Sequence, residues 1–353
     1  MKNLKTNYGK LLAMVMLVVG IAFVQSCNND DDDDPVVKTE LLAAIDEANN
    51  LIATTEEGTA NGQYSAGSQA TLQAVIDIAQ TVYDNAASTQ TEVDNSTVAL
   101  TAAIAAYGEA IITPIAPESL IAHWGFDEGS GTTAADFSDN GLDGTLGNES
   151  GFGAGAATWT ADRYGNAGRA LAFDLGAKVT VPYSAAINPA QITIALWVNA
   201  TETRGGNRFM GLHSWNGYKF QLQDADKSFF TAATDADGAI YDKDTDPSLD
   251  LDTWYHLAVS FGGGEMAFYV NGVNTITHTD LPGNLVTVSG HDLVFGVGSS
   301  KYAATADNYD NDKIIPIDWG GYFHGMLDEI RMYNTVLSAT QIASIYNLEK
   351  VTE

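Results

Sequence analysis

A single cysteine in 353 residues excludes an internal disulfide framework, because a bridge needs a partner. Basic residues are scarce too: 16 Lys and Arg stand against 45 Asp and Glu, a formal charge of −29. Nucleic-acid binding depends on Lys and Arg contacts to phosphate, so this balance argues against it. It argues equally against docking the protein body on an anionic membrane. The six histidines show neither H-x-x-x-H spacing nor cysteine partners, so no zinc site is signalled. GFGAGA at 151–156 lacks a phosphate-loop lysine and a following helix pattern, and reads as a flexible loop.

What is present begins at the N-terminus. Lys2, Lys5 and Lys10 precede an apolar run, Leu11 to Val24 (LLAMVMLVVGIAFV), then Ser26 and Cys27. The run is shorter than the roughly 20 residues that cross a bilayer as a helix. Basic head, short apolar run and small residue are the order of a signal peptide, residues 1–26. Val24-Gln25-Ser26-Cys27 resembles the lipobox of bacterial lipoproteins, although Gln25 departs from its tightest form. The resemblance implies cleavage before Cys27 and acylation of its sulfur; a plain signal peptide with a chance cysteine is the alternative. Cleavage would remove three of the 16 basic residues, leaving 13 against 45 acids, or −32. Asp30 to Asp34 cannot fold on themselves, so residues 27–37 read as a solvated acidic tether. This stretch resembles the export signal of surface lipoproteins in glycan-harvesting bacteria, and implies an outer-membrane anchor facing the exterior. A hydrophilic spacer is the alternative.

Residues 38–112 carry apolar residues at helical spacing. Leu41, Ile45, Ala48 and Ile52 form one stripe; Leu72, Val75, Ile76, Ala79, Val82 and Tyr83 a second; Val93, Leu100, Ile104, Tyr107 and Ile111 a third. Thr89-Gln90-Thr91-Glu92 is a capping box. Pro114 and Pro117 are expected to end the third helix and open a linker at 113–118. LLAAIDEANNLI, GQYSAGSQATLQAVIDIAQTVYDN and STQTEVDNSTVALTAAIAAY resemble a FIVAR-type three-helix module, which implies an extracellular spacer or adhesive stalk.

From 119 to 350 the period switches to two. IAHWGF, ALAF, VTV, ITIALWVNA, YKFQLQ, WYHLAVSF, EMAFYV, LVFGV and MLDEIRMY read as strands, with a hairpin at Asn271-Gly272. Ser338-Ala339-Thr340-Gln341 caps a short final helix. So many strands without interleaved helices predict a two-sheet sandwich. HWGFDEGSGTTAADFSDNGLDGTL, AGRALAFD, ITIALWVNA, WYHLAVSF and GMLDEIRMYNTVLSATQIASIY follow in the order of laminin-G-like (concanavalin A-like lectin/glucanase) jelly rolls, and resemble that family. The chain is thus expected to be multidomain: an N-terminal three-helix bundle, then an all-β jelly-roll sandwich. The resemblance implies carbohydrate binding and often one structural calcium ion. Calcium needs six to eight oxygens. The pattern would bring Asp136 (in DFSDNG) to Asp328 (in MLDEIR), with Asp127 and Asn140 as helpers.

Retaining glycosidases on this fold place two acids on one strand as E-x-D-x-E, which puts both carboxylates on one face. No strand here has that spacing. Asp127-Glu128 and Asp328-Glu329 are adjacent, so each pair should point to opposite faces, Glu329 towards a neighbouring base. The acidic stretches Asp235–Asp244 and DNYDND at 307–312 read as solvated loops. Trp124, Trp197 and Trp254 sit in strand patterns and read as core, whereas Trp215, Tyr241, Tyr309, Trp319 and Tyr322 fall in polar loops as candidate sugar platforms. The reading is a non-catalytic glycan-binding surface lipoprotein. The alternatives are a glycoside hydrolase or lyase on the same fold, and a protein-binding adhesin.

Overall fold

The structure, a computed structural model, describes residues 35–148, 155–174, 176–203, 206–236, 238–297 and 322–351. Cys27, Asp30 to Asp34, Tyr309, Trp319 and the DNYDND stretch lie outside the described residues. The chain divides into two compact units, one ending at Ile112 and one spanning Thr113–Val351.

The first unit is three helices: α1 (Thr39–Thr54), α2 (Ser68–Asp84) and α3 (Gln90–Gly108). The three stripes meet, burying Leu41, Ile45 and Ala48 against Leu72, Ile76, Ala79, Val93, Leu100 and Tyr107. The capping box is present: Thr89 Oγ1 accepts the Glu92 N–H, and the Thr89 N–H donates to Glu92 Oε2 at 2.8 Å. Such a cap contributes about 1 kcal/mol. The third helix stops at Gly108, before either proline. Instead of continuing it, Ile111 bridges Tyr64, and the Ile112 N–H donates to Gln63 O at 2.7 Å. The loop between α1 and α2 therefore satisfies the backbone that the helix would have used, and Tyr64 stacks on Tyr107 at 4.4 Å.

The second unit is a jelly-roll sandwich of two antiparallel sheets. The first runs β14 (Val273–His278), β13 (Glu265–Val270), β12 (Tyr255–Gly262), β7 (Ile192–Ala200), β16 (Gly325–Tyr333), β5 (Ala170–Phe173), β4 (Thr158–Thr160), with β1 (Leu120–Trp124) paired to β16. The second runs β11 (Ile240–Ser248), β10 (Lys227–Ala233), β9 (Tyr218–Gln223), β8 (Asn207–Leu212), β15 (Leu293–Phe295), β6 (Ala177–Val181), β3 (Gly144–Asn148), β2 (Thr133–Ala134). Their inner faces interdigitate: Trp124 meets Phe295 edge-on at 4.8 Å, and Phe209 meets Phe220 and Phe323 at 5.4 Å. Each such fully buried side chain contributes about 1.5–3 kcal/mol. The Asn271-Gly272 turn joins β13 to β14, with φ of 50° and 78° as a two-residue hairpin requires.

The final helix α4 (Ala339–Glu349), started by the Ser338–Gln341 capping box, covers the outer face of the first sheet. Ile342 and Ile345 pack on Ala195, Ala258, Tyr269 and Tyr333 there. That cover is why every residue of β7 is buried. Trp197 is accordingly buried on this outer face, stacked on Tyr346, and not between the sheets as Trp124 is. Trp254 is only half-buried. Strands β2, β3, β4, β8, β10 and β11 were not expected. β11 takes in the acids of 240–244, read above as a loop. Among the described residues it is an edge strand paired only to β10, so one side of its backbone tolerates charge and Pro247.

Candidate functional site

In the second sheet Phe209, Tyr218, Phe220, Leu222, Phe230 and Ala232 point into the core. Their sequence neighbours must point outward. These are Arg208 on β8, Lys219, Gln221 and Gln223 on β9, and Phe229 and Thr231 on β10. The register aligns them in two rows. Arg208 faces Gln221, which faces Phe229; Lys219 faces Thr231, which faces Asp242 on β11. The β8–β9 turn brings Trp215 over this face. His213 and Ser214, just before it, both hold positive φ, 54° and 42°. Each such residue costs roughly 1–2 kcal/mol, so packing holds the turn in place.

Two cations lie under the Trp215 ring. The Arg208 guanidinium is 5.2 Å from its centroid and Lys219 Nζ 4.4 Å; Lys219 also lies 4.6 Å from the Phe229 ring. Arg208 donates from Nε to Gln221 Oε1 at 3.1 Å and from Nη1 to Ser214 Oγ at 3.4 Å. Its buried Nη2 has no hydrogen-bond partner among the described residues. Burial pushes Arg208 down to about 10. Burial, then the Arg208 charge, push Lys219 down to about 7, with Asp242 pulling weakly the other way.

A separate polar cleft of about 400 Å³ lies by β16, lined by Asp127, Asp162, Arg163, Tyr164, Asn166, Arg169, Asp328 and Glu329. Asp328 and Glu329 share this cleft, contrary to the alternation expected for adjacent residues. A bulge in β16, with Glu329 at a φ of 51°, breaks the alternation. The acids are matched by bases: Asp328 by Arg163 at 2.5 Å, Asp127 by Arg169 at 2.9 Å, and Glu329 by Arg331 at 2.9 Å and His123 at 2.6 Å. Burial pushes the Asp328 carboxyl up, to about 8, against the pull of Arg163. Burial also opposes Glu329, but His123 and Arg331 outweigh it and hold this carboxyl low.

The four side chains nominated for calcium are not one donor set. Asp136 organises its own turn: its carboxylate accepts the N–H groups of His123, Ser138 and Leu142 and the Ser138 hydroxyl. Those bonds outweigh burial and lower its pKa. Asn140 spends its amide nitrogen on Leu120 O and Ile121 O. Asp127 and Asp328 do share the cleft, each with an arginine. Among the described residues no three His, Cys, Asp or Glu form a metal-holding group.

Of the glycan candidates, Trp215 lies on the outer face. Tyr322 adjoins the Arg208 backbone: its carbonyl accepts the Arg208 N–H at 3.4 Å, and its ring packs with Val294 and Val297. Tyr241 turns inward instead, packed against the core with its hydroxyl on Pro282 O. Arg208, Lys219, Gln221 and Phe229 were missed. The signal for Lys219 and Gln221 was present in YKFQLQ, whose alternation puts a lysine and two glutamines on one face.

Residues 173–343 match the model of a family described as the concanavalin A-like lectin/glucanases superfamily. The two-sheet jelly roll of the second unit is the fold that this match implies. No curated protein matches the chain. Among solved structures it is similar to domain 4 of AbnA, a GH43 extracellular arabinanase from Geobacillus stearothermophilus, in complex with arabinotriose: 22% identity, 65% of this chain, 98% of that one, TM-score 0.47. It is similar also to the binding domain of Paraclostridial Mosquitocidal Protein 1 (14%, 66% of this chain, 52% of that one, 0.47). The receptor-binding domain of botulinum neurotoxin C/D mosaic serotype is comparable (14%, 66%, 52%, 0.46). The chain spans about half the length of the two toxin domains it matches.

Proposed function

We propose that the concanavalin A-like unit binds carbohydrate on the outer face of its second sheet. The observation that carries this reading is the Trp215 ring, held by a turn of two positive-φ residues above Arg208, Lys219 and the Gln221 row. A sugar offers an apolar C–H face to such a ring and hydroxyls to the polar side chains beside it. The role is binding without turnover. A glycosidase needs two carboxyls free to act as acid and as nucleophile or base, about 5–5.5 Å apart in retaining enzymes and about 6.5–9.5 Å in inverting ones, whereas Asp127, Asp328 and Glu329 are each engaged by an arginine. A glycan array with the purified protein tests the reading. Trp215→Ala should weaken the best ligand by about 2 kcal/mol, roughly 30-fold, with little change in melting. An array with no signal removes the reading; an undiminished Trp215→Ala moves the site elsewhere.

We also propose that the chain is an outer-membrane lipoprotein, with the FIVAR-like helices as a stalk behind the acidic tether. Among the described residues no helix is long and apolar enough to cross a membrane. Acyl chains on Cys27 would add about 0.8 kcal/mol per buried CH₂. Cys27→Ser should move the protein from the membrane fraction to the soluble one. Retention after a high-salt wash would refute the anchor.

A structural calcium ion is a separate proposal, confined to the Asp127–Asp328 cleft, where it would have to displace arginines. Millimolar calcium should then raise the melting temperature, and Asp328→Asn should abolish the rise. An unmoved curve removes the ion.

A further inference from the structure

The described arginines other than Arg208 each have a carboxylate partner: Arg163 has Asp328, Arg169 has Asp127, and Arg331 has Glu329 and Glu349. Arg208, 2% exposed, has none among the described residues, and Lys219, 1% exposed, forms no ion pair there either, sensing Asp242 only across Thr231. Burying one unpaired cation costs several kcal/mol, and a second beside it adds repulsion. The unpaired Nη2 belongs to a planar fork whose geometry fits a carboxylate or a sulfate. A Trp215 ring lies within 5.2 Å of both cations, and Gln221, bonded to Arg208 and to Gln223, extends the polar row.

We propose that Arg208 and Lys219 form an anion-recognising subsite, and that the glycan bound on this face is an acidic one whose carboxylate or sulfate completes their pairing while its ring stacks near Trp215. The choice of an acidic saccharide rests on the carbohydrate reading above; the anion subsite does not.

Two measurements separate them. Calorimetry compares trigalacturonate, its methyl ester and a sulfated oligosaccharide of similar length. The charged forms should bind roughly 10- to 100-fold tighter than the ester, the range for a charge-assisted hydrogen bond, and Arg208→Met and Lys219→Met should erase that margin. The tighter of the two charged probes distinguishes uronate from sulfate. Melting in millimolar inorganic sulfate, against chloride of equal ionic strength, tests the subsite alone: sulfate should raise the melting temperature of the parent and not of Arg208→Met. If the ester binds as well as the acid and sulfate moves nothing, the subsite is wrong and glycan binding stands. If no saccharide binds but sulfate stabilises through Arg208, the subsite stands and the glycan reading falls.

Discussion

Glu349→Ala should destabilise the β unit by about 3–5 kcal/mol, the cost of leaving a buried charge without its partner. Glu349 closes α4 onto the first sheet. One carboxylate oxygen accepts the Trp197 indole N–H at 2.8 Å, and the other pairs with Arg331. Its backbone carbonyl accepts Arg163 Nε at 2.7 Å and the Tyr164 hydroxyl. Burial raises the Glu349 pKa, against the pull of Arg331. Burial likewise opposes the charge on Arg331, but Glu349 and Glu329 outweigh it and raise its pKa. Removing Glu349 leaves Arg331 with Glu329 alone and Trp197 without an acceptor. Denaturant unfolding of the single variant and of Glu349→Gln with Arg331→Met gives the discriminating comparison. The double variant should recover much of the loss, because neither charge is then buried unpaired. A single variant as stable as the parent would mean that α4 is held by its apolar face alone.

Lys219→Met should act in the opposite direction, raising stability by about 1–4 kcal/mol at pH 6. The pH profile is the sharper readout. Burial, then Arg208, depress the folded-state pKa to about 7 from an ordinary 10.5. Between those values the unfolded chain holds more protons at this site than the folded one, so the parent gains stability as pH rises, by at most about 1.4 kcal/mol per unit. Below pH 7 its penalty is complete. The advantage of Lys219→Met should therefore be flat below pH 7 and shrink to nothing towards 10.5. Asp242, across Thr231, is the acid that Lys219 senses. Arg208 is held at about 10, so the profile is cleanest below pH 9. A variant that is destabilised equally at every pH would show that Lys219 matters for packing through its methylenes and not for its charge.

The nine strands read from apolar alternation are all present, because burial of one face is written directly into a period of two. β8, β10 and β11 escaped that test. NRFMGL, KSFFTAA and IYDKDTDPS carry polar or charged residues on the outward face and, in β11, an edge that needs no apolar side. Two of these, β8 and β10, flank β9 and carry Arg208 and Phe229 of the candidate site. Capping boxes at Thr89 and Ser338 were legible because their bonds span only three residues. Where α3 ends was not, since Ile111 is claimed by Tyr64, far away in sequence.

By itself the sequence determined the three-helix unit, the sandwich after it, the turn at Asn271-Gly272 and the identity of Trp215 as an unusual loop aromatic. These depend on local periodicity and backbone preference. Only the tertiary structure decided that Asp136 caps its own turn, that a bulge turns Asp328 and Glu329 into one arginine-lined cleft, and that Arg208 and Lys219 lie side by side with no ion-paired carboxylate among the described residues. Those outcomes depend on which strands become neighbours and in what register, and the cost of burying a charge is set by groups that the chain brings together only when it folds.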